Sequence, residues 1–137
     1  MTAHSRKLKV ITFDLGGTEF QAQCSNWTLN NNTPDGDLFY VFAEGEEFRE
    51  EADPDWSLTM TFYSDWRSGG ISDYLQDNDE TQVSFQLDHH PDVSGEHVRW
   101  SGEVKIKAPA VGGDVRSTEV TSVTLQCVGK PEYERVA

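Results

Sequence analysis

The sequence predicts a mainly β protein: an antiparallel β-sandwich or barrel with one short flanking α-helix. Apolar and polar residues alternate with period two in several runs, which indicates strands buried on one face. Turn-forming residues separate these runs at regular intervals, as is typical of sandwiches and small barrels. Helices do not alternate with the strands, so a parallel sheet is disfavoured. We expect six or seven strands in one domain spanning residues 1–137.

The first strands are predicted from alternation and from a glycine pair. Residues 9–15 alternate and end at Gly16-Gly17, a dipeptide typical of a two-residue hairpin turn. A longer strand is predicted over residues 18–29. Its alternation changes parity near Ser25, which indicates a bulge or a strand end.

A long connection is predicted over residues 30–55. Its first part, NNNTPDGD, is dense in turn formers, so we expect no regular structure there. A short apolar run, LFYVF, follows, and residues 44–55 then contain seven acidic residues and one arginine. Long loops in compact domains are often functional, so this acidic inter-strand loop is a candidate contact region.

The remaining elements are predicted from their apolar spacing. Ile71, Tyr74 and Leu75 form one stripe at helical spacing, so a short helix is expected over residues 68–78, capped by Ser68 or Ser72. Alternation predicts further strands near residues 56–64, 83–87, 98–106 and 123–127.

Residue patterns for catalysis or metal binding are weak, and we predict no catalytic residue, no metal site and no cofactor. His89 and His90 are adjacent and lack ligand spacing, so we interpret them as exposed turn residues. The run from Asp77 to Glu80 lacks the later residues of a calcium loop, and a helix end explains it better. Cys24 and Cys127 are interpreted as unbridged apolar residues.

Four tryptophans leave an alternative function open. Trp27, Trp56, Trp66 and Trp100 could stack on sugars, which would make the chain a carbohydrate-binding or adhesive β-sandwich. An acid-pair hydrolase is a further alternative, because carboxylates are abundant.

The charge of the chain excludes several classes of partner. With 24 acidic against 11 basic residues, the formal net charge is −13, which disfavours tight binding to nucleic acid or to an acidic membrane. No apolar run approaches the roughly 20 residues of a membrane helix. The amino terminus resembles no secretory signal, so we expect a protein made and folded in a cytoplasm.

Basic residues are concentrated at the start of the chain. Residues 1–9 contain Arg6, Lys7 and Lys9 and no acidic residue, which leaves a formal charge of −16 on the rest. Such an arm suits docking on the acidic loop of another copy; a solvated surface is the alternative interpretation.

Five stretches, taken in order, resemble the major tail tube proteins of long-tailed bacteriophages, especially the compact versions from phages of actinobacteria. They are GTEFQAQCSNWTL at 17–29, EEADPDWSLTMTFYSDW at 50–66, GGISDYLQDND at 69–79, WSGEVKIKAPAVGGDV at 100–115 and VGKPE at 128–132. The resemblance covers nearly the whole chain, although LFYVFAEGEEFREE at 38–51 is longer and more acidic than expected for the family.

The resemblance implies a structural role in a virion. Family members form hexameric rings that stack into a tube, and the tube conducts double-stranded DNA to the host without tight binding. The implied partners are further copies of the chain and the tape-measure, tail-tip and tail-terminator proteins. Assembly would occur in the cytoplasm of the bacterial host, with no enzymatic step and no membrane contact. Acidic residues facing the lumen would repel the phosphates of the DNA.

Contacts between subunits are expected in the basic arm and in the long connection, which are the segments available to project. The candidate contact residues are Arg6, Lys7, Lys9, Asn31, Asp35, Phe39, Tyr40, Glu46, Glu47, Phe48, Glu50 and Glu51.

Overall fold

The computed structural model describes residues 2–40, 45 and 47–136 and confirms a mainly β fold, with 43% strand and one short helix. The helix α1 is Ile71–Asp77. The strands are β1 (Ile11–Leu15), β2 (Thr18–Glu19), β3 (Cys24–Asn31), β4 (Leu38–Tyr40), β5 (Glu47–Arg49), β6 (Trp56–Tyr63), β7 (Gln82–His89), β8 (Val98–Lys105), β9 (Val120–Cys127) and β10 (Glu132–Arg135).

Eight of these strands form one antiparallel sheet in the order β2-β1-β7-β8-β9-β6-β3, with β10 also paired to β8. The sheet is not closed into a barrel, which leaves the sandwich of the two predicted forms. Strands β4 and β5 pair with each other in a separate two-stranded ribbon. The main sheet therefore has more strands than the sequence predicts, chiefly because β10 lacks an apolar alternation.

The sheet folds over on itself at the junction of β8 and β9. These strands share two residue pairs, Val104 with Cys127 and Lys105 with Gln126. Beyond this junction β10, not β9, lies beside β8. We call β2, β1, β7, β8 and β10 the β7 half of the sheet, and β9, β6 and β3 the β6 half.

The two halves enclose the apolar core. The ring centroids of Trp27 on β3 and Trp100 on β8 lie 6.2 Å apart, although two strands separate β3 from β8 in the sheet order. Most inward positions of β1, β6, β7 and β9 are apolar, as the alternation predicts. The buried core comprises Phe13, Leu15, Phe20, Leu58, Met60, Phe62, Ile71, Leu75, Phe85, Leu87, Val104, Ile106, Val123 and Leu125.

The first hairpin is confirmed, but the predicted strand over residues 18–29 is interrupted. Gly16 and Gly17 have φ values of 62° and 90°, which permit the tight turn between β1 and β2. Strand β2 ends at Glu19, because the Gln23 amide donates to the carbonyl of Phe20 in a turn. Strand β3 then begins with a register shift between Cys24 and Asn26, as the parity change predicts.

The connection over residues 30–55 is more regular than predicted. Strand β3 continues to Asn31, and the Asn32 amide then donates to the Asp55 carbonyl at 2.6 Å. Further from the sheet, the Glu50 amide donates to the Asp37 carbonyl at 2.8 Å. The paired strands β4 and β5 follow directly beyond this hydrogen bond. Residues 24–40 and 47–63 are therefore the two sides of one long hairpin with an interruption. We call its outer part, residues 37–40 and 47–50, the distal ribbon.

Helix α1 has the predicted apolar stripe but not the predicted cap. Ile71 and Leu75 are fully buried, and Tyr74 packs against Phe20 with ring centroids 5.3 Å apart. The cap residue is Gly70, which provides no side-chain hydrogen bond. The Ser72 hydroxyl instead accepts from the Asp65 amide at 3.0 Å, so this predicted cap ties the helix to the preceding loop.

Truncation of Leu125, which is fully buried in the centre of the core, tests this packing. We expect Leu125→Ala to lower the free energy of unfolding by about 2–5 kcal/mol, through lost burial and a cavity. Chemical denaturation measures the change. Its exposed neighbour Gln126 supplies the control, and Gln126→Ala should stay within about 0.5 kcal/mol of the parent. Equal effects of the two changes would contradict the assigned core.

Candidate functional site

The distal ribbon carries several of the predicted contact residues. Phe39 pairs with Phe48 and Tyr40 with Glu47 across its two strands. The side chains of Phe39 and Tyr40 are 42% and 76% exposed. Glu46 lies outside the described residues. The ribbon thus presents aromatic and acidic side chains at a distance from the core.

The base of the ribbon holds the remaining predicted residues of the connection. Asn31 ends β3, and its side-chain carbonyl accepts from the Thr33 amide at 3.2 Å. Asp35, Glu50 and Glu51 are exposed. A Cβ on Gly36 would lie 1.4 Å from the Glu50 carbonyl oxygen, so the two sides of the hairpin touch there. A side chain at position 36 would therefore collide with the opposite strand, which favours glycine there.

The basic arm lies elsewhere, against the turn that precedes β8. Arg6 donates to the carboxylate of Glu96, and the His4 ring lies 2.6 Å from the other oxygen of that carboxylate. The pKa of Glu96 is lowered, first by its hydrogen bond with His4 and then by Arg6. Lys7 and Lys9 are exposed. Within one molecule, Arg6 therefore contacts Glu96 and not the acidic loop.

A partly buried ion pair lies close to this turn and is not predicted from the sequence. Asp88 of β7 is 5% exposed and accepts two hydrogen bonds from Arg99 of β8, at 2.8 and 3.1 Å. The His97 ring lies 3.0 Å from the same carboxylate. Burial alone would raise the pKa of Asp88, but hydrogen bonds from Arg99 and His97 outweigh it and lower the pKa. Asp88 and Arg99 are cross-strand partners, so their position depends on a strand register that the sequence alone does not give.

The histidine pair is less exposed than predicted. His89 and His90 are half-buried, and their rings stack with centroids 5.0 Å apart. His89 also contacts Trp27 and Trp100 edge-on, and these large rings cover part of its side chain. Burial, and then the nearby His90, lower the pKa of His89. Among the described residues, no group of three His, Cys, Asp or Glu is placed to hold a metal ion.

The tryptophans do not form one flat surface. Trp27 and Trp100 meet at an interplanar angle of 53°, and Trp100 also contacts Tyr133 of β10. Trp66 is 47% exposed, and Trp56 begins β6. Trp27 and Trp100 thus belong to a half-buried aromatic cluster.

Both cysteines are free and half-buried. Burial raises the pKa of the Cys24 and Cys127 thiols to about 11. Thiolate is the reactive form, so both side chains are poor nucleophiles near neutral pH.

The outer faces of the two halves of the sheet differ sharply in charge. The strands of the β6 half, CSNWTLNN, WSLTMTFY and VTSVTLQC, contain no Asp, Glu, Lys or Arg. The outward residues of the β7 half include several charges, which we call the charged face: Asp14, Asp88, Arg99, Glu103, Lys105, Glu132 and Glu134.

The outer face of the β6 half is built from hydroxyl and amide side chains. We call it the hydroxyl face, and it consists of Asn26, Thr28, Asn30, Thr59, Thr61, Ser122, Thr124 and Gln126, with the buried Ser57 beside Asn30. Cross-strand hydrogen bonds join several of these side chains in rows. Thr59 and Thr124 share one at 3.0 Å, and Thr61 and Ser122 share another at 2.8 Å.

Comparisons with known proteins do not assign the chain to a family. No protein-family model matches the sequence, and a search of curated proteins found no significant match. Within the described residues, no helix has the length and apolar character needed to span a membrane.

The buried Asp88 pair makes stability depend on pH. Because the folded-state pKa of Asp88 is lowered, its contribution is complete above the unfolded-state pKa of about 4 and is lost as the pH falls through the folded-state value. We therefore expect the unfolding free energy of the parent chain to fall more steeply in acid than that of Asp88→Asn. At pH 7, Asp88→Asn should cost about 1–3 kcal/mol.

Urea denaturation between neutral and acidic pH measures both effects. Asp92→Asn is the matched control, because Asp92 is an exposed carboxylate in the turn after β7. It should leave the pH dependence unchanged. An acid profile of Asp88→Asn that is parallel to the parent's would show that Asp88 does not supply this dependence.

Proposed function

We propose that this chain is the subunit of a bacteriophage tail tube, in which rings of copies stack and conduct double-stranded DNA into the host. The observation that carries the proposal is β3, an eight-residue strand without charge at one end of the sheet order. Monomeric proteins usually protect a long edge strand with charges, proline or a covering element. Among the residues that the structure describes, β3 pairs with β6 alone, so its other edge suits pairing with a neighbouring copy.

The open sheet also supports association by unlike surfaces. Strand β10 is bonded to β8 and has no other strand partner within the described residues, and its four residues are exposed. A contact between two different edges of identical subunits repeats around a ring when its rotation closes. The proposed subunit contact therefore joins β3 of one copy to a different edge of the next.

The distal ribbon and the arm are proposed to join successive rings. The ribbon projects from the end of β3 and β6, and it carries Phe39, Tyr40 and Glu47. Exposed Lys7 and Lys9 supply the opposite charge. We propose that these lysines approach the acidic connection of the next ring. Arg6 would join them after its contact with Glu96 opens.

The charged face supports a role as the wall of a DNA conduit. Its carboxylates outnumber Arg99 and Lys105, so its potential repels phosphate and keeps DNA from adhering. We propose that this face lines the lumen. The tape-measure, tail-tip and tail-terminator proteins are the proposed further partners, in a virion assembled in the bacterial cytoplasm. The proposed role involves no bond-making step.

Electron microscopy of the purified, concentrated chain tests the proposal directly. We expect hollow tubes or stacked rings in negative stain, with light scattering that rises with protein concentration. Binding to a glycan array by a chain that shows no such assemblies would instead favour the carbohydrate-binding alternative. A parallel sample with added tail-tip protein provides a nucleus for assembly. It distinguishes slow initiation of tubes from an inability to form them.

Reversing the charge of the arm tests the proposed stacking contact. The double variant Lys7→Glu and Lys9→Glu should reduce tube length, because repulsion from the acidic connection replaces attraction. Salt should shorten parent tubes in the same way, since the Debye length falls from about 10 Å at 0.1 M to about 3 Å at 1 M. Arg116→Glu combined with Lys107→Glu changes the charge equally at exposed sites away from the arm.

The control pair should leave tube length near that of the parent. Tubes of the arm variant that match the parent's at low salt would contradict the docking of the arm. Thermal unfolding of each variant shows whether the monomer fold is preserved.

A further inference from the structure

The hydroxyl face is an unusual surface for so acidic a chain. Three adjacent strands of eight residues each contain no charged side chain, whereas 26% of the whole chain is charged. Solvated faces of acidic proteins ordinarily share in the charge. We propose that the hydroxyl face is a contact surface for a second copy of this chain.

Charge selects a second copy as the occupant. Each copy has a formal net charge of −13. One pair of like charges about 4 Å apart costs about 4 kcal/mol at an effective dielectric constant of 20. A like-charged partner is therefore excluded from acidic surfaces and can approach closely where charge is absent. A basic partner would be drawn to the acidic surfaces instead.

The hydrogen bonds of the face favour burial under protein. Thr59 shares one hydrogen bond with Thr124 and accepts another from Asn30, both at 3.0 Å. Thr61 is paired with Ser122 in the next row. Burying an unpaired hydroxyl costs about 1–3 kcal/mol, but these hydroxyls already have partners. The threonine methyl groups can thus be covered at low desolvation cost.

The same pairing disfavours a sugar as the occupant. Glycan recognition depends on protein donors and acceptors that are free to bond the ligand's hydroxyls. In the hydroxyl face the side chains of Asn30, Thr59 and Thr124 bond one another. The surface is also continuous with β3, whose open edge carries the proposed function. The inference rests on that proposed function for the identity of its partner.

A charge placed in the centre of the hydroxyl face tests the inference. Thr124 is exposed on β9, and Thr124→Glu should weaken self-association at least about tenfold, equivalent to about 1.4 kcal/mol. Thr124→Val keeps the shape and removes the hydroxyl, so it should stay within about twofold of the parent. Ser84→Glu adds the same charge at an exposed position on β7, in the other half of the sheet, and should also stay within about twofold.

Sedimentation velocity over a range of concentrations measures association, and electron microscopy of the same samples reports tubes. Thermal unfolding verifies that each variant is folded. Loss of association in Thr124→Glu alone supports the inference. Association that is unchanged in Thr124→Glu, or reduced equally in Ser84→Glu, overturns it.

The outcomes separate this inference from the proposed function. Parent tubes that tolerate Thr124→Glu overturn the contact surface and leave the tube role standing. Small oligomers that Thr124→Glu disperses, without tubes in the parent, support the surface and count against the tube. A parent chain that stays monomeric up to about 1 mM overturns the contact surface. Its dissociation constant would then exceed about 1 mM, which means a binding free energy weaker than about −4 kcal/mol. Glycan binding that Thr124→Glu abolishes also overturns it.

Discussion

The junction between β8 and β9 determines the arrangement of the rest of the molecule. Two residue pairs and a hydrogen bond from the Val128 amide to the Glu103 carbonyl join the halves of the sheet there. Because β10 occupies the remainder of the same β8 edge, β9 is free to turn away and carry β6 and β3 over the core. Val104 and Ile106 are buried at this corner, so the apolar core itself holds the angle between the halves.

The folded-over sheet gives two outer faces with opposite properties. One contains charges organised around the buried Asp88 and Arg99 pair, and the other contains neutral side chains bonded to one another. Removing one partner would leave the buried carboxylate of Asp88 uncompensated, so this pair favours the observed register of β7 and β8. The hydroxyl face contains no charged side chain, so it does not repel a second acidic chain. The proposed conduit wall and the proposed subunit contact thus follow from one asymmetry between two layers.

Sequence analysis predicts the elements whose apolar pattern is strong. The strands around Phe13, Met60 and Leu125 and the stripe of α1 follow from periodicity, because burial on one face dictates them. Strand β10, with the sequence EYER, has no such pattern and depends on hydrogen bonding to β8. The strands of the distal ribbon are likewise not predicted, because they are short and lie in an acidic stretch without apolar alternation. For the candidate site, charge and the length of the projecting segments predict the arm and connection residues, but the contact of Arg6 with Glu96 requires the tertiary fold.

Strand β1 pairs with β7, so Ile11 lies opposite His89. During synthesis, the chain must therefore be made through β7 before its first strand can find its place. Pairing between strands so far apart in sequence closes a large loop. The chain entropy lost in closing this loop is not offset until the contacts form, which slows folding. The nascent chain meanwhile carries β3, which pairs with the nearer strand β6 and, within the described residues, with no strand on its other edge. The acidic residues of the connection give every such chain a like charge, which opposes association between chains until the fold is complete.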